Sequence, residues 1–281
     1  MLRIVTDSTA DMPPGWEQEY ELQVVPLNIH LDEKTYLQGV ELSNEDFYRL
    51  VEQSGKIPTT SQPTPYQFKE FYRRIAHRGD TILSLHVTSK LSGTYDSAVS
   101  AARELQAEYR ILPFDSGCGS AGLGMMCREA RVMERAGATV ERILERWEQI
   151  RQQVQIVLTL DKLDYARKSG RVGTLQAALA SALNVKPIVE LQQGILEMTE
   201  RARTRTKAFG RVLDLVHNRF LHQPLDLAVV HARDPEAAQI LEQKARPLLN
   251  IHDLIMTELS ISVAANLGPG TVGVVAYPAG A

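Results

Sequence analysis

The sequence predicts an α/β protein of two domains, and three observations carry that expectation. At 281 residues the chain is longer than one hydrophobic core usually organises. Its first half alternates short apolar runs with amphipathic stretches, the βαβα rhythm of a largely parallel sheet covered by helices. Beyond residue 150 that rhythm is interrupted by a hairpin, which implies a mixed sheet. The boundary is therefore expected near 150, giving domains 1–150 and 151–281.

Strands are expected at residues 2–6, 23–29, 81–87 and 109–114, and helices at 44–54, 64–77, 94–107 and 121–136. A further helix opens near Pro13 and Pro14. Ser43 precedes the 44–54 helix as an N-cap, and Pro65 opens the next, both standard helix-start signals. In the second half a strand at 155–160 leads into a short polar helix at 163–171 and an Ala-rich helix at 174–183. Residues 186–191 and 195–199 flank Gln192-Gln193-Gly194, a turn in which Gly takes positive φ. Helices at 206–220 and 235–245 and strands at 226–231, 253–259 and 271–277 complete the order.

Composition excludes several classes. Lys plus Arg number 31 against 34 for Asp plus Glu, without the basic excess of a nucleic-acid binder. Cys118 and Cys127 are the only cysteines, too few for a disulfide framework and suited to a reducing cytosol. Acidic Asp7 and Asp11 interrupt the N-terminal segment, unlike a signal peptide. No apolar run reaches spanning length. A cytoplasmic protein with no transmembrane segment is expected.

Ligands of α/β sheets bind beyond the C-terminal ends of strands, where loops feed helix N-termini. Here those loops are rich in hydroxyls: Thr6, Ser8 and Thr9; Thr59, Thr60, Ser61 and Thr64; Thr88, Ser89, Ser92 and Thr94; Ser116 and Ser120. Converging on one edge, they would form a pocket of neutral donors suited to a carboxylate or phosphate. Most such residues serve as caps, and Ser43, Thr64, Ser120 and Ser8 are assigned that role. Gly93, between Ser92 and Thr94, lets backbone approach a ligand closely.

Other signatures are missing. There is no GxxxxGK[ST] loop, the glycines of GSAGLG have the wrong spacing for a dinucleotide fingerprint, and no GxSxG elbow occurs. The seven histidines show no metal-ligand spacing, so neither a metal nor a catalytic residue is assigned. Arg167, Lys168 and Arg171 end a helix, where cations complement its dipole. The run from Arg201 to Arg211 reads as a solvated face, or as a docking surface for an acidic partner. Asn266 precedes a rigid Gly268-Pro269-Gly270 turn.

Taken in order, IVTDSTADMP, PTTSQPTP, KLSGTYDSA, FDSGCGSAGLG, LDYARKSGRVG, LNVKPIVEL and LGPGTVGVVAY resemble the DegV family over essentially the whole chain. That family comprises fatty-acid-binding proteins that serve as binding subunits of a bacterial fatty-acid kinase. The resemblance implies a Rossmann-like N-terminal domain and a C-terminal α/β domain with a mixed six-stranded sheet. It implies a long-chain fatty acid in an apolar tunnel between the domains, its carboxylate held by hydroxyls. The matching positions are Thr60 and Ser61 in TSQP, Ser92 and Gly93 in LSGTY, and Arg171 in SGRVG. Asn266 stands where the family usually has His; Asn donates and accepts hydrogen bonds but cannot become cationic.

On this resemblance the chain is non-catalytic, carries no cofactor beyond its lipid, and presents the carboxylate to a separate ATP-dependent kinase subunit for phospholipid synthesis. The alternative is a stand-alone enzyme or kinase-like subunit acting on a small polar substrate, as in dihydroxyacetone kinases, whose substrate-binding part this fold resembles.

Overall fold

The computed structural model describes residues 1–173 and 185–280; the helix expected at 174–183 lies outside the described residues. The chain divides into two compact units. The first is Met1–Arg151 with Ser260–Ser262, and the second is Gln152–Leu259 with Val263–Ala281.

Strands of the first unit are β1 (Leu2–Asp7), β2 (Leu22–Val25), β3 (Asn28–Leu31), β4 (Lys34–Leu37), β5 (Thr59–Ser61), β6 (Thr81–His86) and β7 (Arg110–Asp115). Its helices are α1 (Trp16–Glu19), α2 (Asn44–Ser54), α3 (Pro65–Ile75), α4 (Thr94–Glu104), α5 (Ala121–Arg135) and α6 (Val140–Gln153), the last of which ends in the second unit. Four strands form an all-parallel sheet in the order β2-β1-β6-β7. Val5 and Ile82 pack with Phe68 and Tyr72 of α3 and Ala98 of α4. Ile4 and Leu83, which alternate with them, are equally buried, so both faces of the sheet are covered. α5 packs on β1 and β6. Helix α6 is absent from the expected elements, although Ile143, Trp147 and Ile150 recur at helical spacing and are buried. Trp147 donates its indole N–H to the Met126 carbonyl at 3.0 Å.

The single strand expected at 23–29 divides at Pro26. Proline cannot donate to a ladder, so β2 ends at Val25 and β3 begins at Asn28 in a different, antiparallel sheet of order β4-β3-β5. This small sheet was not expected, and it carries Thr60 and Ser61.

The second unit holds β8 (Gln155–Thr159), α7 (Leu163–Ser169), β9 (Val172–Gly173), β10 (Lys186–Gln192), β11 (Ile195–Ala202), α8 (Arg205–Phe220), β12 (Leu225–His231), α9 (Pro235–Ala245), β13 (Ile251–Glu258) and β14 (Val272–Pro278). Helix α10 (Ile261–Leu267) begins in the Ser260–Ser262 segment. The mixed sheet runs β13-β12-β14-β8-β10-β11-β9. It has seven strands where six were expected, because β9 is two residues long and too short to leave a periodic pattern. One face is closed by α8 and α9, whose Phe209, Val212 and Leu241 pack with Val157, Leu227 and Val274.

One polar chain crosses the first core. Asp7 is fully buried, and its Oδ1 accepts from the Thr9 N–H at 3.0 Å and the Thr9 hydroxyl at 2.6 Å. Its Oδ2 accepts from the Val87 N–H at 3.0 Å and from His86 Nδ1 at 3.1 Å. His86 Nε2 lies 2.7 Å from the Ser84 hydroxyl, which lies 2.7 Å from the Tyr72 hydroxyl. With its Nδ1–H donated to Asp7, His86 links the carboxylate to the Ser84 and Tyr72 hydroxyls. Burial alone would raise the Asp7 carboxyl, but hydrogen bonds from His86, Thr9 and Val87, with the charge interaction at His86, hold it below the ordinary 3.8.

Two outcomes are expected. Asp7→Asn places an amide against groups that donate to a carboxylate, and should cost roughly 3–5 kcal/mol at neutral pH. A folded-state pKa below the unfolded one makes this stabilisation complete above the ordinary carboxyl range and lost as pH falls through the depressed value. The gap between wild type and variant in urea unfolding should therefore narrow on acidification. Gly273→Ala would drive a Cβ into the Val157 carbonyl and within 2.6 Å of Leu158 Cδ2. It should lower stability by roughly 1–3 kcal/mol in the same assay.

Candidate functional site

Most hydroxyls of the first unit's loops are spent internally. Thr9 serves Asp7. Ser89 donates through its N–H and hydroxyl to Asp115 at 3.2 and 2.6 Å. The expected caps Ser43 and Thr64 do cap α2 and α3, accepting from the N–H groups of Asp46 and Gln67. Ser8 and Ser120 do not act as side-chain caps. Ser8 Oγ accepts the Leu27 N–H at 2.9 Å across the Pro26 break, and Ser120 donates to Asp11 Oδ2 at 2.5 Å. Both hydroxyls have a partner distant in sequence, which no local pattern reveals.

The N-cap of α4 is Gly93, which offers no side chain to cap it. Helices α2, α3, α8 and α9 are capped by Ser43, Thr64, Thr204 and Asp234, whereas α1, α5 and α7, like α4, have no side-chain cap bond from the N-cap residue. The first N–H groups of α4 carry the partial positive charge of a helix N-terminus. Ser92 stands just ahead of them. The Thr94 hydroxyl lies 2.8 Å from Ser92 Oγ, and the Thr94 N–H donates to the same oxygen at 3.4 Å. Thr94 is fully buried, and among the described residues its hydroxyl reaches no partner but Ser92; either hydroxyl can donate in that bond. With Thr94 as the donor, the Ser92 hydrogen is available to a ligand.

The TSQP segment reaches the same place. β5 pairs antiparallel with β3, with Ser61 opposite Asn28 and Thr60 opposite Ile29. Side chains alternate along a strand, so Thr60 and Ser61 point to opposite faces. Ser61 lies on the face of His30, whose Nε2 is 2.8 Å from Ser61 Oγ and whose Nδ1 is 2.8 Å from Thr35 Oγ1. Thr60 lies on the face of fully buried Ile29, is itself half-buried, and its hydroxyl makes no hydrogen bond among the described residues. Gln62, two positions further, comes against Gly93: a Cβ on Gly93 would lie 2.9 Å from Gln62 Nε2. Gly93 has an ordinary φ of −76°, so glycine serves here for space and not for backbone freedom. Gln62, Ser92 and Gly93 thus meet at the α4 N-terminus, while Thr60 and Ser61 lie on opposite faces of β5.

Arg171 and Asn266 belong to the second unit. Arg171 is exposed and follows Gly170, which ends α7 in the left-handed conformation. Its guanidinium donates to the Ser169 carbonyl at 2.6 Å. Asn266 is half-buried on α10. In the turn after it, Gly268 has φ +88°, and a Cβ there would lie 3.1 Å from the Tyr165 ring.

The basic run is partly neutralised within the chain. Arg205 pairs with Asp234 at 2.6 Å, and Arg211 makes two bonds to Glu200, at 2.8 and 2.6 Å. Those two cations are thereby engaged, which weakens the reading of the run as an acidic docking surface. Asp7, His86 and Ser84 have the connectivity of a hydrolase triad, but all three are 0% exposed, and no substrate reaches Ser84. Among the described residues no helix is long and apolar enough to cross a membrane. No group of three or more His, Cys, Asp or Glu among them could hold a metal ion.

Comparison with known proteins places this geometry in a family. The family model described as "Uncharacterised protein, DegV family" matches residues 1–279. A DegV domain-containing protein of Streptomyces coelicolor is 36% identical over 97% of this chain and 96% of its own. A fatty-acid-binding DegV family protein from Thermus thermophilus is 31% identical, with a TM-score of 0.90 and 99% of both chains covered. DegV of Bacillus subtilis, described as a fatty acid binding protein, is 27% identical, with a TM-score of 0.87 and 99% of both chains covered. The chain belongs to the DegV family.

Proposed function

We propose that this chain binds a long-chain fatty acid and holds its carboxylate at the N-terminus of α4, through the hydroxyls of Ser92 and Thr60. The supporting observation is the Ser92 hydroxyl just ahead of the α4 start, whose N-cap glycine offers no side chain, together with the Thr60 hydroxyl, which has no partner among the described residues. Helix N-terminal N–H groups and neutral hydroxyls are donors only toward an anion. The fatty-acid-binding relatives supply the class of anion. Ser61 supports the site from behind, through His30 and Asn28, and is not assigned to the carboxylate. Arg171 and Asn266 enter through the family resemblance alone.

Energetics divide the labour. Roughly fifteen methylenes leaving water gain on the order of 12 kcal/mol gross, while each hydrogen bond to a charged group is worth about 1.5–3 kcal/mol net. The tail sets affinity; Ser92, Thr60 and α4 set where the head group stops. Neutral donors leave the carboxylate oxygen more nucleophilic than a bidentate guanidinium would. That suits presentation to a separate ATP-dependent kinase subunit, in which a carboxylate oxygen bonds to the γ-phosphorus as ADP leaves. This chain is then a non-catalytic binding subunit serving phospholipid synthesis. A cytoplasmic location fits its two free cysteines, both buried, with thiols pushed up to about 12 by burial. The stand-alone enzyme reading has its nearest support in Ser84, which is sealed from solvent.

Protein purified after bacterial expression should yield long-chain fatty acid on extraction and mass spectrometry. Delipidated protein should gain several degrees in Tm with palmitate at about a hundred times Kd. No extracted lipid together with an unchanged Tm would remove the lipid reading.

A further inference from the structure

We infer that Gln62 is a third head-group donor, a residue that reads the ligand's negative charge at the exposed side of the site; this rests on the fatty-acid reading above. Gln62 is exposed, and its side-chain amide makes no hydrogen bond among the described residues. Its main chain is nevertheless fixed. The Gln62 carbonyl accepts from Asn28 Nδ2 at 3.1 Å, and Asn28 Oδ1 accepts from Gln67 Nε2 at 3.3 Å. Gln67 in turn accepts the Thr64 N–H at 2.8 Å, closing the capping box of α3. A pinned backbone with an uncommitted amide is the arrangement of a side chain kept for a ligand.

The amide is also aimed. Its nitrogen is the heavy atom nearest to the space where a Cβ of Gly93 would stand, at 2.9 Å, with Cδ at 3.2 Å. Gly93 is the N-cap of α4 and follows Ser92 directly. The Gln62 amide therefore lies against the residue that directly follows Ser92. A carboxylate offers about four lone-pair sites, more than Ser92 and Thr60 can fill. The same amide would meet the added oxygens once the carboxylate became an acyl phosphate.

The test compares palmitate with hexadecanol on delipidated wild type, Gln62→Met and Gln62→Glu by titration calorimetry. Gln62→Met keeps the shape and removes the donors, and should weaken palmitate several-fold, up to about tenfold. Gln62→Glu sets a negative charge against the carboxylate and should weaken palmitate by more than about tenfold. Hexadecanol carries no charge and should stay within about twofold for both variants. Equal losses for the acid and the alcohol would show a structural role and overturn the assignment, as would unchanged palmitate binding in Gln62→Glu. Wild type that binds neither ligand would overturn the lipid reading and this assignment with it.

Discussion

The buried carboxylate of Asp7 ties the C-terminal end of β1 to that of β6, and the loop edge of the first unit is built outward from that tie. It receives the Val87 N–H, where β6 passes into the loop that ends at Gly93, and the Thr9 N–H, where β1 passes into its own loop. An ionised carboxylate in a core is tolerated only when its lone pairs are filled, and here four donors converge on it. The reward for that concentration of polar groups is geometric. The loop leading to Ser92 starts from a fixed point, and α4 starts from a fixed loop.

From that edge outward, hydrogen bonds are arranged so that a few donors are left over. The surrounding hydroxyls of Thr9, Ser89 and Ser120 are committed to Asp7, Asp115 and Asp11. The Ser92 hydroxyl bonds only within its own loop, to Thr94, and the Thr60 hydroxyl has no partner among the described residues. Beside them α4 begins without a side-chain cap, although capping is worth about 1 kcal/mol in an ordinary helix. The donors of the proposed site are all neutral, so they would orient a carboxylate without neutralising it.

Much of this was legible in the sequence because it depends on short-range patterns. The hydroxyl-rich loops, the caps at Ser43 and Thr64 and the hairpin through Gly194 follow from spacing and residue type. The division of Thr60 from Ser61 does not. It depends on which residue of β3 each one opposes, and the sheet containing both was hidden by reading residues 23–29 as one strand across Pro26. Ser8 and Ser120 were misread as caps for a related reason, since their partners Leu27 and Asp11 are distant in sequence. Gln62 sat inside a motif noticed for its hydroxyls, and only its approach to Gly93 marks it out. Asn266 was legible in the sequence as a departure from the family's usual His.

The central claim is that unspent donors at the α4 N-terminus hold an ionised carboxylate, and the ligand's own ionisation reports on it. Carbon-13 NMR of bound [1-13C]palmitate, titrated with acid, should show the carboxyl staying ionised to lower pH in wild type than in Ser92→Ala. Losing one hydrogen bond to the charged form, about 1.5–3 kcal/mol, should raise the titration midpoint by about one to two pH units while the lipid remains bound. Identical midpoints in the two proteins, or complete loss of lipid from Ser92→Ala, would contradict the account.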